Sequence, residues 1–102
     1  MALLHTVNKS PFEKNSLETC LRIAAAGSSV LLIEDGVYAA LKGTAVEDKV
    51  RAAAKNFAFY VLGPDLRARG FDEGQLIEGV KVVDYGGFVD LVVEHDKVQS
   101  WL

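Results

Sequence analysis

The sequence has 102 residues, enough for one domain with a single modest core. Half of them are apolar and a quarter are charged, which excludes a disordered chain. Eleven Lys and Arg against fourteen Asp and Glu leave a net charge of −3, which argues against nucleic-acid binding by bulk electrostatics.

In chain order, the apolar run Ala2 to Val7 reads as a buried strand. Ser10-Pro11-Phe12-Glu13 spells a helix start, and Asn15-Ser16-Leu17-Glu18 offers a second start of the same type. The helix is expected to run to about Ala26 and to stop at Gly27. Ser29 to Ile33 is the next strand and ends in the turn signature Glu34-Asp35-Gly36. Val37 to Leu41 reads as one or two helical turns. Val46 to Lys55 is charged and Ala-rich, as a solvent-facing helix would be. Phe57 to Leu62 is a third strand, and Gly63-Pro64-Asp65 opens a short helix through Arg69. Val80 to Val83 is a fourth strand. Asp84 can cap a helix from Tyr85 to Glu94, with Phe88, Leu91 and Val92 spaced to face the core. Lys97 to Leu102 completes the series as a last short strand.

Near-continuous apolar strands alternating with helices imply a parallel sheet covered on both faces. The expected fold is therefore a single domain over residues 1–102: a small three-layer αβα sandwich with a mostly parallel, flavodoxin-like sheet. Sites in such folds gather at the carboxyl ends of the strands. That edge holds His5 to Lys9, Glu34 to Gly36, Gly63 to Asp65 and Asp84 to Gly87. No stretch approaches ~20 apolar residues, so no membrane span is expected. Met1 to Val7 lacks the basic region of a signal peptide, and a cytoplasmic protein is the expectation.

Cys20 is the only cysteine, which excludes an internal disulfide and a zinc cage and fits a reducing compartment. As a nucleophile, Cys20 would need a nearby cation or a helix N-terminus, and its helical neighbours Ser16, Leu17, Ile23 and Ala24 supply no charge. Local sequence favours a small core residue. His5 could be a general base or ligand, but no second His or Cys is spaced for a metal, and a backbone-bonded buried histidine is the plainer reading. Glu34 and Asp35 could form an acidic pair, but adjacent residues diverge, and a polar turn fits better. Thr6 to Ser10 has no glycine to admit a phosphate, and Asp84-Tyr85-Gly86-Gly87 lacks the spacing of a dinucleotide fingerprint. No cofactor is expected. A receiver domain is rejected because the places for its acid pair hold Thr6-Val7-Asn8.

The segment Leu4-His5-Thr6-Val7-Asn8-Lys9-Ser10-Pro11 resembles the start of the DsrH/TusB family. So do Leu31 to Ala40 (LLIEDGVYAA), Tyr60 to Gly70 (YVLGPDLRARG), Val82 to Leu91 (VVDYGGFVDL) and the C-terminal Trp101. The resemblance covers essentially the whole chain. The Cys20-bearing helix looks closer to DsrH of sulfur-oxidising bacteria than to TusB, in which this cysteine is generally absent.

The resemblance implies a DsrE-like fold and a cytoplasmic heterohexamer with DsrE-like and DsrF-like subunits, two copies of each. Such complexes relay persulfide sulfur. In the Dsr branch the sulfur exchanges with a DsrC-like carrier during sulfur oxidation. In the Tus branch it ends in 2-thiouridine at the tRNA wobble position, with no direct nucleic-acid binding expected of this subunit. The principal carrier cysteine belongs to the DsrE/TusD-like subunit, after its third strand. Here that place reads Leu62-Gly63-Pro64-Asp65 and holds none. Two roles then stand for Cys20. It is either a second sulfur carrier, whose thiolate takes the outer sulfur of a donor persulfide as the donor leaves as a thiolate, or a core residue of a structural subunit. An independent small-molecule-binding domain is the third reading, and the lack of a glycine-rich phosphate loop counts against it.

Overall fold

A computed structural model describes residues 3–102, with five strands: β1 (Leu3–Val7), β2 (Ser29–Leu32), β3 (Ala58–Leu62), β4 (Lys81–Val83) and β5 (Lys97–Trp101). They form one parallel sheet in the order β4-β3-β2-β1-β5. Four α-helices connect them: α1 (Ser16–Ile23), α2 (Glu47–Ala53), α3 (Gly63–Ala68) and α4 (Tyr85–Glu94). A 3-10 segment covers Glu34–Ala40, and a single 3-10 turn covers Glu73–Gln75.

The strand order dictates how the layers fill. From β1 to β4 the chain steps in one direction across the sheet, and right-handed crossovers put all of those connections on the same face. The return from β4 to β5 passes over the other face. Packing follows this rule. Leu17 and Cys20 of α1, Val37 and Ala39 of the 3-10 segment, Val50 of α2 and Leu66 of α3 share one core with Val7, Val30, Leu32, Phe59 and Val61. On the opposite face α4 alone contributes, with Leu91 and Phe88 against Leu4, Leu31, Ile33, Tyr60 and Val83. The expected sandwich is present, but its outer layers are unequal. All four residues of β2 are buried, as a central strand with both faces covered requires.

Several boundaries differ from expectation. The first helix starts at Ser16, not at Pro11. Ser10 instead closes a separate turn: its carbonyl accepts from the Glu13 and Lys14 N–H groups (both 3.1 Å), and its Oγ from Phe12 N–H (3.2 Å). Ser16 donates its hydroxyl to the Leu102 carbonyl at 3.0 Å, tying the start of α1 to the residue after β5. The helix ends at Ile23, because Ala24 is already extended (ψ 142°). Gly27 lies in the turn into β2, where its φ of +92° is one that glycine alone adopts without strain. The expected turns at Val37 to Leu41 begin earlier, at Glu34, and are 3-10. Helix α2 is not wholly solvent-facing, since Val50 is fully buried. Helix α4 has the expected span, and Asp84 caps it by accepting from Gly87 N–H at 2.7 Å. Val92, however, is exposed rather than packed in the core.

Candidate functional site

Three of the four carboxyl-edge segments converge; the fourth does not. After β2, Glu34 takes a left-handed conformation (φ +48°), which costs a non-glycine residue about 1 kcal/mol or more. The Asp65 carboxylate, at the start of α3, holds it there by accepting from Glu34 N–H at 2.7 Å. The Asn8 amide donates to Glu34 Oε1 at 3.4 Å. Arg69 at the end of α3 pairs with Asp35 Oδ1 through Nε and Nη2, both at 3.0 Å, and donates from Nη1 to the Asp65 carbonyl at 3.2 Å. Glu34 and Asp35 therefore diverge, one toward β1 and one toward α3, as a polar turn predicts. The knot fastens the loop after β1, the 3-10 segment and α3 to each other. Asp84 stays with its own helix. Among the described residues, no three His, Cys, Asp or Glu side chains cluster as metal ligands.

A cleft of about 220 Å³ lies beside the loop after β1, lined by Pro11, Phe12, Asn15, Leu17, Val46 and Lys49 among others. The ion pair between Lys49 and Glu18 (3.2 Å) belongs to its wall. Cys20 is not among its lining residues.

Cys20 is fully buried in the larger core, beside the apolar face of α1. Burial pushes its thiol up to about 11. Among the described residues no cation offsets that effect. In the chain as it stands, Cys20 has the environment of a core residue.

His5 is buried too, but its partner is a side chain rather than backbone. The Trp101 indole N–H donates to His5 Nδ1 at 3.0 Å. That bond puts the ring proton on Nε2, which is buried without a partner. Burial lowers the His5 pKa below its usual 6.5, so the ring is neutral and works as a clamp between β1 and β5. The unfolded chain binds the His5 proton more readily than the folded one, so this contribution to stability is complete at pH 7. It should shrink as pH falls below about 6.5 and level off beneath the folded-state pKa. The urea midpoint should show that slope between pH 7 and 5. His5→Gln, which keeps an acceptor for Trp101, should flatten it. An unchanged slope would assign the pH dependence to other groups.

Sequence reasoning missed a second histidine. His95, just after α4, donates from Nδ1 to the Leu91 carbonyl (2.6 Å) and accepts at Nε2 from the Ser29 hydroxyl (2.9 Å). The pair has the outline of a serine–base dyad. It sits at the amino end of β2, away from the carboxyl edge, and Ser29 is buried. It fastens α4 to the sheet.

Residues 9–98 match the family model described as DsrH like protein. The chain belongs to this DsrH-like family. Among curated relatives it is 40% identical to the protein TusB of Pectobacterium parmentieri and 41% identical to that of Erwinia tasmaniensis. It is 35% identical to the TusB of Escherichia coli K12. Each match spans 97% of this chain and 100% of the relative. The ychN protein of E. coli has the same fold, with a TM-score of 0.86 at 21% identity and 99% of both chains covered. Protein Tm0979 of Thermotoga maritima aligns with a TM-score of 0.64 at 26% identity, covering 92% of this chain and 93% of its own. The DsrH-like assignment thus holds at the level of the family. The TusB names do not support the nearer placement beside DsrH of sulfur oxidisers that Cys20 suggested. No helix among the described residues is long and apolar enough to cross a membrane.

Proposed function

We propose that this chain is the TusB-like subunit of a cytoplasmic sulfur relay, acting as a structural partner rather than as the sulfur carrier. The observation that carries this reading is the match to TusB relatives over 97% of the chain at up to 41% identity. Two features of the fold support it. The place after β3, where the carrier subunit of such relays is expected to hold its cysteine, is here Gly63-Pro64-Asp65, the first turn of α3, and Asp65 is engaged in the knot with Glu34 and Arg69. The one thiol, Cys20, is buried and held protonated. Its partners on this reading are a DsrE-like and a DsrF-like subunit, two copies of each in a hexamer, with the sulfur passing on to a DsrC-like carrier and then to the tRNA wobble uridine.

The test is complementation. A bacterial strain lacking its own TusB subunit should regain wobble 2-thiouridine when this chain is supplied with its two sister subunits, read by mass spectrometry of digested tRNA. Absence of the nucleoside in a strain where the three subunits assemble would sink the tRNA reading. The second reading, a DsrH-like subunit of sulfur oxidation, is favoured by the presence of Cys20 in the first helix. It would gain if the assembled complex passed sulfur to a DsrC-like carrier without tRNA thiolation.

A further inference from the structure

Helix α4 departs from the other three in two ways. The first is charge. Helices α1, α2 and α3 each carry an acid in the first turn and a base in the last, matching the helix dipole. Helix α4 has no base in its last turn and ends instead on Glu94, whose charge opposes the dipole. Asp90 stands four residues earlier, so the two carboxylates face each other at a destabilising spacing. Both are exposed, and among the described residues neither is ion-paired. From Val82 to Asp96 the chain contains no Lys or Arg at all.

The second departure is an apolar stripe on the water side. Tyr85, Val89, Val92 and Val93 recur at helical spacing, and all are exposed, Val93 at 77%. The stripe lies beside the row of Asp90 and Glu94, while Leu91 and Phe88 face the sheet. Four large apolar side chains expose roughly a few hundred Å² together, the size of the largest patch on a typical monomer, which is often functional. This is also the thinly covered face of the sheet, where α4 is the single helical cover.

We propose that the outer flank of α4 docks a protein partner that presents an apolar strip beside a row of lysines or arginines. An apolar partner surface would bury Tyr85, Val89 and Val93. Its bases would neutralise Asp90 and Glu94, removing both their repulsion and their conflict with the dipole. A second copy of this chain fits poorly, because a two-fold contact through the same helix would set these acids against themselves. The inference deepens the subunit reading and rests on it, in that a sister subunit is the partner expected to carry the complementary bases.

The test uses the full chain coexpressed with its two sister subunits, with assembly read by native mass spectrometry and affinity by titration. Val89→Ser with Val93→Ser changes exposed side chains, so the variant should keep its unfolding midpoint and lose affinity by about tenfold or more. Asp90→Asn with Glu94→Gln should weaken assembly and abolish its sensitivity to salt between 0.05 and 0.5 M, a range over which surface charges become screened. Ile23→Ser, an exposed apolar residue at the end of α1, should change nothing. If wild type assembles and both α4 variants assemble equally well, the docking proposal falls while the subunit reading stands. If wild type stays a monomer beside its sisters, the subunit reading fails and takes this proposal with it. Self-association of the chain alone, abolished by the valine pair, would overturn the choice of a basic partner in favour of a second copy.

Discussion

Gly36→Ala should cost this domain about 3 kcal/mol or more, a large part of the 5–15 kcal/mol that holds such a fold together. Gly36 is buried in the 3-10 segment after β2, where the chain presses against the end of β1. A Cβ there would stand 2.1 Å from the Val7 carbonyl oxygen and 3.0 Å from its carbon. Both are backbone atoms, so no side-chain rotation can relieve the overlap. The same oxygen accepts from Ile33 N–H at 3.1 Å, and Gly36 N–H donates to the Ile33 carbonyl at 2.8 Å. Moving either strand end therefore breaks hydrogen bonds that close the carboxyl edge. The expected result is a fall in melting temperature of about 12 °C or more, since 1 kcal/mol shifts a domain of this size by roughly 4–8 °C. Gly43→Ala is the control. Its φ of +79° carries a conformational penalty of about 1 kcal/mol, but nothing lies within 4 Å of the added methyl. Equal losses at the two positions would show that the Val7 contact yields easily.

The strands and α4 were legible in the sequence because their causes are local. The short, mostly apolar run Ser29 to Ile33, bounded by Gly27 and by Glu34-Asp35-Gly36, has the length and composition of a strand covered on both faces. Asp84 three residues before Gly87 is a cap whatever lies elsewhere in the chain. The start of the first helix was not legible, because Ser10-Pro11 and Asn15-Ser16 spell equally good beginnings. The choice falls to Ser16, whose hydroxyl is tied to Leu102, 86 residues away. The two histidines failed to declare their roles for the same reason. His5 meets Trp101 across 96 residues and His95 meets Ser29 across 66. Val92 shows a different limit. Its spacing from Phe88 and Leu91 is correct for a core-facing stripe, but the strand order leaves α4 alone on its face. Among the described residues there is no second helix against which that side could pack. A periodic pattern reports that a face is apolar and leaves open what covers it.

Cys20 in the folded, isolated chain should take no sulfur from a polysulfide donor, and alkylating reagents should reach it only after denaturation. With a thiol near 11, about one molecule in ten thousand carries a thiolate at pH 7, against a few per cent for an ordinary exposed cysteine. Complete burial lowers the rate further, because a donor persulfide must reach the sulfur before it can transfer anything. Intact-mass measurement after polysulfide treatment, with peptide mapping, reads the outcome directly. The choice of variant matters. Cys20→Ala leaves a small void in the larger core and should cost about 1–2 kcal/mol. Cys20→Ser puts a hydroxyl into the same apolar setting and should cost about 1–3 kcal/mol unless it finds an acceptor. A loss of sulfur transfer with serine alone would therefore measure a weakened core. If Cys20→Ala, shown to be folded, still supports full sulfur flow in the assembled complex, the cysteine is a packing residue. If the folded wild-type chain acquires a single sulfur at Cys20, the core must open far enough to admit a donor, and the carrier role returns.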